Sequence, residues 1–311
     1  MTSVVIVNWN SGPMLERCVR SLLAHAADCD IIVVDNNSTD ASLDGVEVFK
    51  PALRIVKNDR NVGFAAANNV GWRVSTSGDV LFLNPDTECL EGSIQSLEAT
   101  MDSNPTAMAV GGALVSLDGI VQKGFNVRGF PSLGSVAADM FLLDEAWPKN
   151  PWTSRYRLSN FDHLSLCQVD QPAAACLMVR RETLRQTAGF DDRFFPAWFE
   201  DVDLCRRIRN MGGTILYQPA AKFLHHGGSS LERLPREAFL EYYCTNLLRY
   251  FKKHHGLREA QKVRTLVVAG MRLRAALALL RPPAWAVTRM QAARSYWTVS
   301  RRLAAERGGR S

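Results

Sequence analysis

The stretch VLFLNPDTE, residues 80–88, decides the fold of this chain. Its first four residues are all apolar, which is typical of a strand buried on both faces of a parallel sheet. Pro85 ends that strand because proline has no amide hydrogen for the ladder. Asp86 and Glu88 follow at the strand's carboxyl end, where ligands collect in open α/β sheets. A carboxylate there can hold a divalent cation that binds a diphosphate, although Pro-Asp is also a common turn dipeptide.

Apolar runs alternate with helical patterns on both sides of this stretch. Residues 4–7, 31–34 and 54–56 are interpreted as earlier strands, and residues 110–115 and 212–217 as later ones. This alternation predicts an α/β fold with βαβ units and a mostly parallel, Rossmann-like sheet flanked by helices. Each of the first strands ends in polar residues, which a nucleotide pocket at the strand ends would need.

Charge is distributed unevenly along the 311 residues. Residues 1–256 carry 25 Lys/Arg and 29 Asp/Glu, a net charge of −4, whereas residues 257–311 carry 12 and 2, a net charge of +10. With 47% hydrophobic and 22% charged residues the chain is globular, and its length fits one domain of about 250 residues with an appendage. Because the basic character belongs to the tail, we expect no nucleic-acid partner.

The cysteine pattern and the apolar runs bear on location. Seven cysteines are scattered without a CxxC pair, which favours a reducing compartment. The first residues lack the pattern of a signal peptide, and no apolar run reaches the roughly 18–20 residues that span a bilayer. We therefore expect a cytoplasmic protein, free in solution or peripheral at the inner face of the membrane.

Two common nucleotide-binding motifs are missing. Asp35 follows the second strand, where a dinucleotide-binding enzyme places an acid against ribose hydroxyls. That fold needs G-x-G-x-x-G after the first strand, and here the turn reads NWNSGP, residues 8–13. There is no G-x-x-x-x-G-K-[ST] either. A dehydrogenase and a P-loop enzyme are both disfavoured.

A second acidic cluster, Glu200, Asp201 and Asp203, follows the aromatic run FFPAWF at 194–199. Acids in the first turn of a helix offset its dipole, which accounts for one or two of them. Three acids behind a wall of aromatic side chains are less well explained, because desolvation there would raise a carboxylate's pKa toward that of a useful base. Both interpretations stay open on composition alone.

His225 and His226 precede a Gly-Gly-Ser-Ser run. Imidazole is a common metal ligand, although a histidine is more often a packing residue. Neighbours in an extended segment point in opposite directions, so only one of the two would reach a shared ion.

Residues 257–303 alternate Arg with Leu, Val and Ala, and Pro282-Pro283 divides them into two helical pieces. Arg-rich amphipathic helices with aromatic residues suit an anionic membrane surface, where each basic residue contributes about 1 kcal/mol. A solvated or homodimer-forming helix pair is the alternative, and an RNA-binding tail is a weaker third.

Six motifs together resemble family 2 glycosyltransferases, in their bacterial rhamnosyltransferase-like branch. In chain order they are VVIVNWN (4–10), VVDNNSTD (33–40), NVGFAAANN (61–69), LNPDT (83–87), FEDVDL (199–204) and HHGGSS (225–230). The resemblance covers roughly residues 3–230 and leaves out the basic tail. It implies a GT-A fold, a nucleotide-diphosphate sugar donor, Mg²⁺ or Mn²⁺, and inversion at the anomeric carbon.

The resemblance also implies roles for single residues. The donor-binding set would be Asn8, Asp35, Asn61, Gly63, Asn68 and Asp86. Asp86 would bind the metal with His225, His226 being the second choice, while Asn84 occupies a place that is acidic in many relatives.

Within the second acidic cluster, Asp201 would be the catalytic base and Glu200 a neighbour that orients the acceptor. The division that follows is a GT-A domain at 1–256, with a nucleotide-binding half at about 1–105 and an acceptor half at about 106–256, then a basic amphipathic helical tail at 257–311.

The expected activity is metal-dependent, inverting transfer of a sugar to a hydroxyl of a growing cell-surface glycan or lipid-linked glycan. Deoxythymidine-diphosphate-rhamnose is the donor favoured by resemblance, with another hexose donor as the alternative. A non-catalytic nucleotide-sugar-binding subunit of a glycan assembly complex is a second alternative. A nucleotidyltransferase would need a basic glycine-rich loop after the first strand and no Glu-Asp pair, the reverse of this chain.

Overall fold

The computed structural model describes residues 1–76, 78–227 and 234–305. The chain forms two compact units. A sheet unit comprises residues 1–130 and 160–233, and a helical unit comprises residues 131–159 and 234–311. These units do not follow the expected division at residue 256, and the division into a catalytic domain and a tail stays a prediction.

Nine of the described strands form the central sheet, and two short ones form a separate ladder. The strands are β1 (Ser3–Asn8), β2 (Asp30–Asp35), β3 (Leu53–Lys57), β4 (Val80–Leu83), β5 (Thr87–Cys89), β6 (Ala107–Val115), β7 (Val127–Arg128), β8 (Cys167–Gln168), β9 (Gln171–Pro172), β10 (Cys176–Val179) and β11 (Thr214–His225). The sheet order is β3-β2-β1-β4-β10-β6-β11-β5, β8 also pairs with β11, and β7 pairs with β9. In the sheet, β1, β2, β3, β4, β6 and β11 point the same way, while β5, β8 and β10 run against their neighbours. The predicted α/β fold with a mostly parallel sheet is confirmed.

Helices flank the sheet and build the helical unit. They are α1 (Met14–His25), α2 (Asp44–Glu47), α3 (Phe64–Val74), α4 (Ser93–Ser103), α5 (Leu133–Met140), α6 (Leu143–Ala146), α7 (Pro151–Arg157), α8 (Arg181–Thr187), α9 (Glu200–Asn210), α10 (Arg236–His255), α11 (Leu257–Leu280) and α12 (Arg289–Ala305). None of these helices carries an apolar stretch long enough to cross a bilayer.

The core lies where the apolar runs predicted it. Every residue of β1 and β4 is buried, as a strand covered on both faces requires. Helix α3 packs close to the sheet because it presents a glycine there: a Cβ on Gly71 would lie 2.3 Å from a methyl of Val5. The small residues of α3 thus set the distance between the helix and the sheet.

Strand β10 joins the two halves of the sheet. It runs antiparallel between β4 and β6, so that its amino end lies beside the carboxyl end of β4. The amide of Asn84 donates to the carbonyl of Ala175 (3.1 Å), just ahead of β10. The strand begins at Cys176, and residues 173–175 ahead of it form an irregular segment beside the carboxyl end of β4.

Strand β11 is longer than its apolar pattern predicts. The strand expected at 212–217 continues to His225, with a register shift against β6 between Gln218 and Lys222. His225 is therefore the last residue of a strand. The Gly-Ser run at residues 228–230 lies outside the part of the chain that the structure describes.

In the helical unit, the insertion at 131–159 packs with the C-terminal helices. A Cβ on Gly270 of α11 would lie 2.6 Å from the Cβ of Met140 in α5. Arg274 of α11 donates to the carbonyl of Asp139 and pairs with its carboxylate at 3.2 Å. As predicted, Pro282-Pro283 separates two helices, α11 and α12.

Candidate active site

Asp86 lies in the turn between β4 and β5. The turn is held by Thr87, whose amide and hydroxyl both donate to the carbonyl of Asn84 (3.2 and 2.6 Å). The amide of His226 donates to the carbonyl of Asp86 (2.9 Å), which ties the turn to the end of β11. Asp86 is only 7% exposed, and its buried Oδ1 has no hydrogen-bond partner among the described residues. An ionised oxygen buried in this way is costly unless it meets a cation or a donor.

The side chain of His225 faces that oxygen. Its Nε2 lies 3.5 Å from Asp86 Oδ1, and its Nδ1 lies 2.7 Å from Oε1 of Gln122. Phe125 stacks on the imidazole with ring centroids 5.1 Å apart and planes 8° from parallel. Burial lowers the pKa of His225, with the Asp86 carboxylate opposing that shift. Burial thus favours the neutral imidazole, the form in which a histidine binds metal.

His226 points to a different acid. Its Nε2 lies 2.7 Å from Oε1 of Glu88. The two neighbouring histidines therefore face two different carboxylates, and it is His225 that lies against Asp86. Their assignment as metal ligands stays a prediction.

The residues present fit a small divalent cation. Oδ1 of Asp86 and Nε2 of His225, the two atoms that could bind the ion, lie 3.5 Å apart. Like Asp86 Oδ1, the buried Oδ1 of Asn84 has no hydrogen-bond partner within the described ranges. Mg²⁺ in nucleotide enzymes is commonly held by one or two carboxylates plus substrate phosphates. Consistent with such a sparse site, the described residues contain no group of three or more His, Cys, Asp or Glu arranged to hold a metal.

The second acidic cluster begins helix α9. Trp198 and Phe199, the two residues before the helix, both have left-handed backbone conformations, with φ of 75° and 71°. Glu200 is 6% exposed, and its buried Oε2 has no hydrogen-bond partner in the described part of the chain. Burial, and then the neighbouring Asp201 carboxylate, raise the pKa of Glu200 well above its usual value.

Asp201 is partly exposed and held on both oxygens. Oδ2 accepts from the Gln171 amide (3.1 Å) and from the backbone N–H of Ala174 (3.3 Å), while Oδ1 accepts from the backbone N–H of Val202 (2.7 Å). Burial raises the pKa of Asp201, and these backbone N–H groups together with the charge of Arg128 oppose the shift. A fixed carboxylate with a raised pKa is what a general base requires.

Asp203, the third acid, has a different role. It is fully buried and pairs with Arg207 one turn later at 2.8 Å. Arg207 also donates to the carbonyls of Thr187 and Gly189 (2.7 and 2.8 Å), which fastens α9 to the end of α8. Asp203 thus has a structural role, as the partner of Arg207.

Two short segments connect the Asp86 turn with Asp201. Ala174 donates to Asp201, while its neighbour Ala175 accepts from Asn84. On the other side, Phe125 stacks on His225, and the charge of Arg128, three residues later, acts on Asp201. Three residue steps span at most about 10 Å. These links place the Asp86 turn and Asp201 near the same end of the sheet.

Asn8 and Asp35 end the neighbouring strands β1 and β2. Asn8 Nδ2 donates to Asp35 Oδ1 (2.9 Å) and contacts the hydroxyls of Ser38 and Ser42 (3.0 and 2.9 Å). Asn8 is 0% exposed and Asp35 is 4% exposed. Within the described residues, Asn8 orients Asp35 through this hydrogen bond. That the two residues contact the nucleotide-sugar donor stays a prediction.

The loop 61–64 packs against the segment that leads to α9. Asn61 Oδ1 accepts from the Gly63 amide (2.8 Å), and the amide of Phe64 donates to the carbonyl of Pro196 (2.7 Å). Gly63 has φ of +85°, and a Cβ there would lie 2.9 Å from the ring of Phe195. Only glycine combines that backbone with so close an approach.

Within α3, two adjacent asparagines differ. Asn68 is 1% exposed and donates to the carbonyl of Phe64 (3.0 Å) one turn earlier. Asn69, which the sequence did not single out, exchanges two hydrogen bonds with the backbone of Phe190 (2.8 and 2.9 Å) and accepts from Trp72 (3.1 Å). These contacts do not test the prediction that Asn68 helps to bind the nucleotide-sugar donor.

Sequence reasoning also missed Gln122, Gln171 and Arg128, which contact or act on His225 or Asp201. All three lie in the stretch between β6 and β10, where the sequence has no clear period. No local signal marks a glutamine as the partner of a distant side chain.

Solved structures similar to this one include GT-A glycosyltransferases. A mannosyltransferase from Pyrobaculum calidifontis, solved with GDP-Man and Mn²⁺, matches with a TM-score of 0.57 and 15% identity over 99% of this chain and 88% of its own. GalNAc-T7, solved with UDP, GalNAc and Mn²⁺, matches with a TM-score of 0.54 and 15% identity over 78% of this chain. This chain spans about half of that structure, 48% of its length. At these identities the likeness establishes the fold.

The fold and the sequence define the class: the chain belongs to glycosyl transferase family 2, whose model matches residues 3–184, and it is a glycosyltransferase. Within that class it is a bacterial rhamnosyltransferase-like protein. N-acetylglucosaminyl-diphospho-decaprenol L-rhamnosyltransferase of Mycobacterium tuberculosis is 32% identical to it over 267 residues, 81% of this chain and 85% of the relative. An O-antigen biosynthesis protein of Myxococcus xanthus is 27% identical over 231 residues, 73% of this chain and 17% of that protein. The predicted family is confirmed.

Proposed function

We propose that this glycosyltransferase moves a sugar, with rhamnose as the favoured one, from a nucleoside diphosphate to a hydroxyl of a cell-surface glycan or lipid-linked glycan, with inversion. The observation that carries the proposal is that two candidate metal ligands, Asp86 Oδ1 and His225 Nε2, lie 3.5 Å apart. Short segments of chain that contact these residues also contact or act on Asp201. The rhamnosyltransferase relative, whose name specifies a diphospho-decaprenol-linked sugar, supports both the donor and a lipid-linked acceptor.

Asp86 and His225 would hold Mg²⁺ or Mn²⁺ at the end of β4. The ion, when bound, neutralises the diphosphate that leaves the anomeric carbon. Asp35, buried at the end of β2, and the loop at Asn61 and Gly63 would bind the nucleotide beside it. Because the parallel strands end side by side, these groups lie together at the carboxyl ends of the strands.

Asp201 would act as the base. As the acceptor oxygen bonds to the anomeric carbon, the bond from that carbon to the diphosphate oxygen breaks, and the hydroxyl proton passes to the Asp201 carboxylate. The donated hydrogen bonds from Gln171, Ala174 and Val202 fix the direction of that carboxylate. A base on the face opposite the leaving group gives inversion. Glu200, the buried residue that precedes Asp201, would help to orient the acceptor.

Two substitutions separate these roles. Asp201→Asn should lower the rate of transfer about 10²–10⁴-fold, the usual contribution of a general base, and leave donor affinity within a few-fold. Asp86→Ala should also abolish the Mn²⁺-dependent part of donor binding. Exposed acids provide matched controls, Asp192→Asn for the first and Asp102→Ala for the second. Transfer by Asp201→Asn at most of the wild-type rate would refute the assignment of the base.

Donor identity is testable by binding. Thermal stabilisation by a panel of nucleotide sugars with Mn²⁺ ranks the donors, because a ligand that binds the folded state raises its stability. Deoxythymidine-diphosphate-rhamnose should give the largest shift. A non-catalytic binding subunit, the alternative, would show stabilisation with neither transfer to any acceptor nor hydrolysis of the donor.

We also propose that the α11–α12 face of the helical unit contacts the inner surface of the membrane. A groove of about 1100 Å³ runs along these helices, with lining residues that include Arg272, Ala275, Ala276, Leu279, Met290, Arg294 and Trp297. On α12, Met290, Arg294 and Trp297 fall at helical spacing on one face, and Met290 and Trp297 are 70% and 50% exposed. Exposed apolar side chains beside arginines match an anionic lipid surface.

Vesicle co-sedimentation tests this contact. The protein should bind phosphatidylglycerol vesicles, bind pure phosphatidylcholine weakly, and lose binding as salt rises. Trp297→Gln should weaken binding about 10–150-fold, since burying a large apolar side chain stabilises by about 1.5–3 kcal/mol. Trp152→Gln, at a tryptophan 48% exposed on α7, is the control. A dimer in solution that Trp297→Gln dissociates, without vesicle binding, would make this face a homodimer interface and refute the membrane contact.

A further inference from the structure

Gln122 makes two hydrogen bonds to the same residue, His225. Its Nε2 donates to the backbone carbonyl of His225 (2.7 Å), and its Oε1 lies 2.7 Å from Nδ1 of the imidazole. No motif of the family resemblance contains this residue. It follows the antiparallel bridge between Val115 and Val121, and its own amide donates to the carbonyl of Leu114 (3.0 Å).

These two bonds together determine the tautomer of the imidazole. A backbone carbonyl only accepts hydrogen bonds, so the nitrogen of the Gln122 amide must face it. The amide oxygen then faces Nδ1, and because that oxygen only accepts, Nδ1 must carry the proton. The neutral imidazole is left with a lone pair on Nε2, which points toward Asp86 Oδ1 at 3.5 Å.

The ring is also fixed in plane. Phe125 stacks on it nearly parallel, and the His225 backbone pairs with Thr87 in the ladder between β11 and β5. Among the described residues, the charged or titratable groups that act on the imidazole are Asp86 and His226. Neither of them contacts Nδ1, so the hydrogen bond of Gln122 governs that atom.

We propose that Gln122 is a positioning residue, which holds His225 as the Nδ1–H tautomer and thereby presents Nε2 to a divalent cation shared with Asp86. The inference rests on the proposed function in one respect, namely that a cation binds between these two side chains. Loss of an outer hydrogen bond to a metal-binding histidine typically costs 10–100-fold in metal affinity.

The experiment uses the full chain and two readouts. Long-range ¹⁵N–¹H spectra of the metal-free protein report which imidazole nitrogen is protonated. Electron paramagnetic resonance titration of Mn²⁺ with deoxythymidine diphosphate reports metal affinity. Gln122→Met removes both hydrogen bonds at similar side-chain volume, and it should move His225 toward the Nε2–H tautomer and weaken Mn²⁺ binding 10–100-fold.

Two further variants sharpen the result. Gln95→Met is the matched control, because Gln95 also donates to a histidine carbonyl, that of His25 (3.2 Å), and should change neither readout. Gln122→Glu keeps an acceptor for Nδ1–H and should restore both the tautomer and most of the Mn²⁺ affinity.

The proposal would be overturned if His225 kept the Nδ1–H tautomer in Gln122→Met. It would also be overturned if His225 lacked that tautomer in Gln122→Glu. The tautomer is measured without metal, so its outcome is independent of catalysis. Absence of Mn²⁺ binding by the wild type would instead refute the metal-dependent function and leave the role of Gln122 to be decided by the spectra.

Discussion

Replacing Glu200 by glutamine should stabilise the protein, and increasingly so as the pH rises. Glu200 lies at the start of α9 and is 6% exposed, and its Oε2 is buried without a partner among the described residues. Burial and the adjacent Asp201 carboxylate raise the pKa of Glu200. Glutamine has nearly the same shape and no charge, so it removes the ionisation without leaving a cavity.

The sign and size of the effect follow from proton linkage. An unfolded glutamate titrates near pH 4.3, whereas the folded one titrates at a higher pH because its pKa is raised. Between these two values the unfolded chain has lost the proton and the folded chain keeps it. The wild type therefore loses about 1.4 kcal/mol of stability per pH unit in that window, and Glu200→Gln loses none of it. The difference should be small near pH 4.5 and level off above the folded pKa.

The measurement is urea unfolding of both proteins at several pH values from 5 to 9, with the free energy of unfolding compared at each. Glu182→Gln is the matched control, since Glu182 also lies in the first turn of a helix but is 63% exposed and paired with Arg185. Its effect should stay within about 0.5 kcal/mol at every pH.

A stability difference between Glu200→Gln and the wild type that does not change with pH would refute this reasoning. It would mean that Glu200 ionises in the folded state as easily as in the unfolded state. A lower stability of the variant at high pH would also refute it, because it would mean that the folded protein stabilises the ionised carboxylate.

Three further substitutions test the surroundings of the site. Asp203→Ala should lower the free energy of unfolding by about 3–5 kcal/mol, because it leaves Arg207 without its buried partner, and chemical denaturation measures this. Gly63→Ala should destabilise by about 1–3 kcal/mol and weaken donor binding in calorimetry, since it adds a methyl group 2.9 Å from an aromatic ring at φ of +85°; unchanged stability would contradict the packing of that loop. Asn69→Ala removes two hydrogen bonds to the backbone of Phe190 and should lower the melting temperature with a loss of about 1–3 kcal/mol, whereas an unaltered melting temperature would mean that these bonds contribute nothing.

Much of the sheet was predictable because its strands are covered on both faces. Such strands are continuous apolar runs, and in β1, β2 and β4 nearly every residue is buried as predicted. The start of α9 at Glu200 was predictable for a similar reason, since helical spacing of apolar residues and first-turn acids are local signals. β11 was only partly predicted, because its register shift after Gln218 depends on pairing with β6.

By itself, the sequence determined that acidic side chains follow the ends of particular strands or begin a helix. That information is local, because apolar periodicity and backbone chemistry act over a few residues. Only the tertiary structure decided which of these side chains face one another. The pairing of β11 with β5 turns His225 toward Asp86 and His226 toward Glu88. In α9, Asp203 pairs with Arg207, whereas Asp201 accepts a hydrogen bond from Ala174. Those choices depend on contacts between residues far apart in the chain, which no local pattern records.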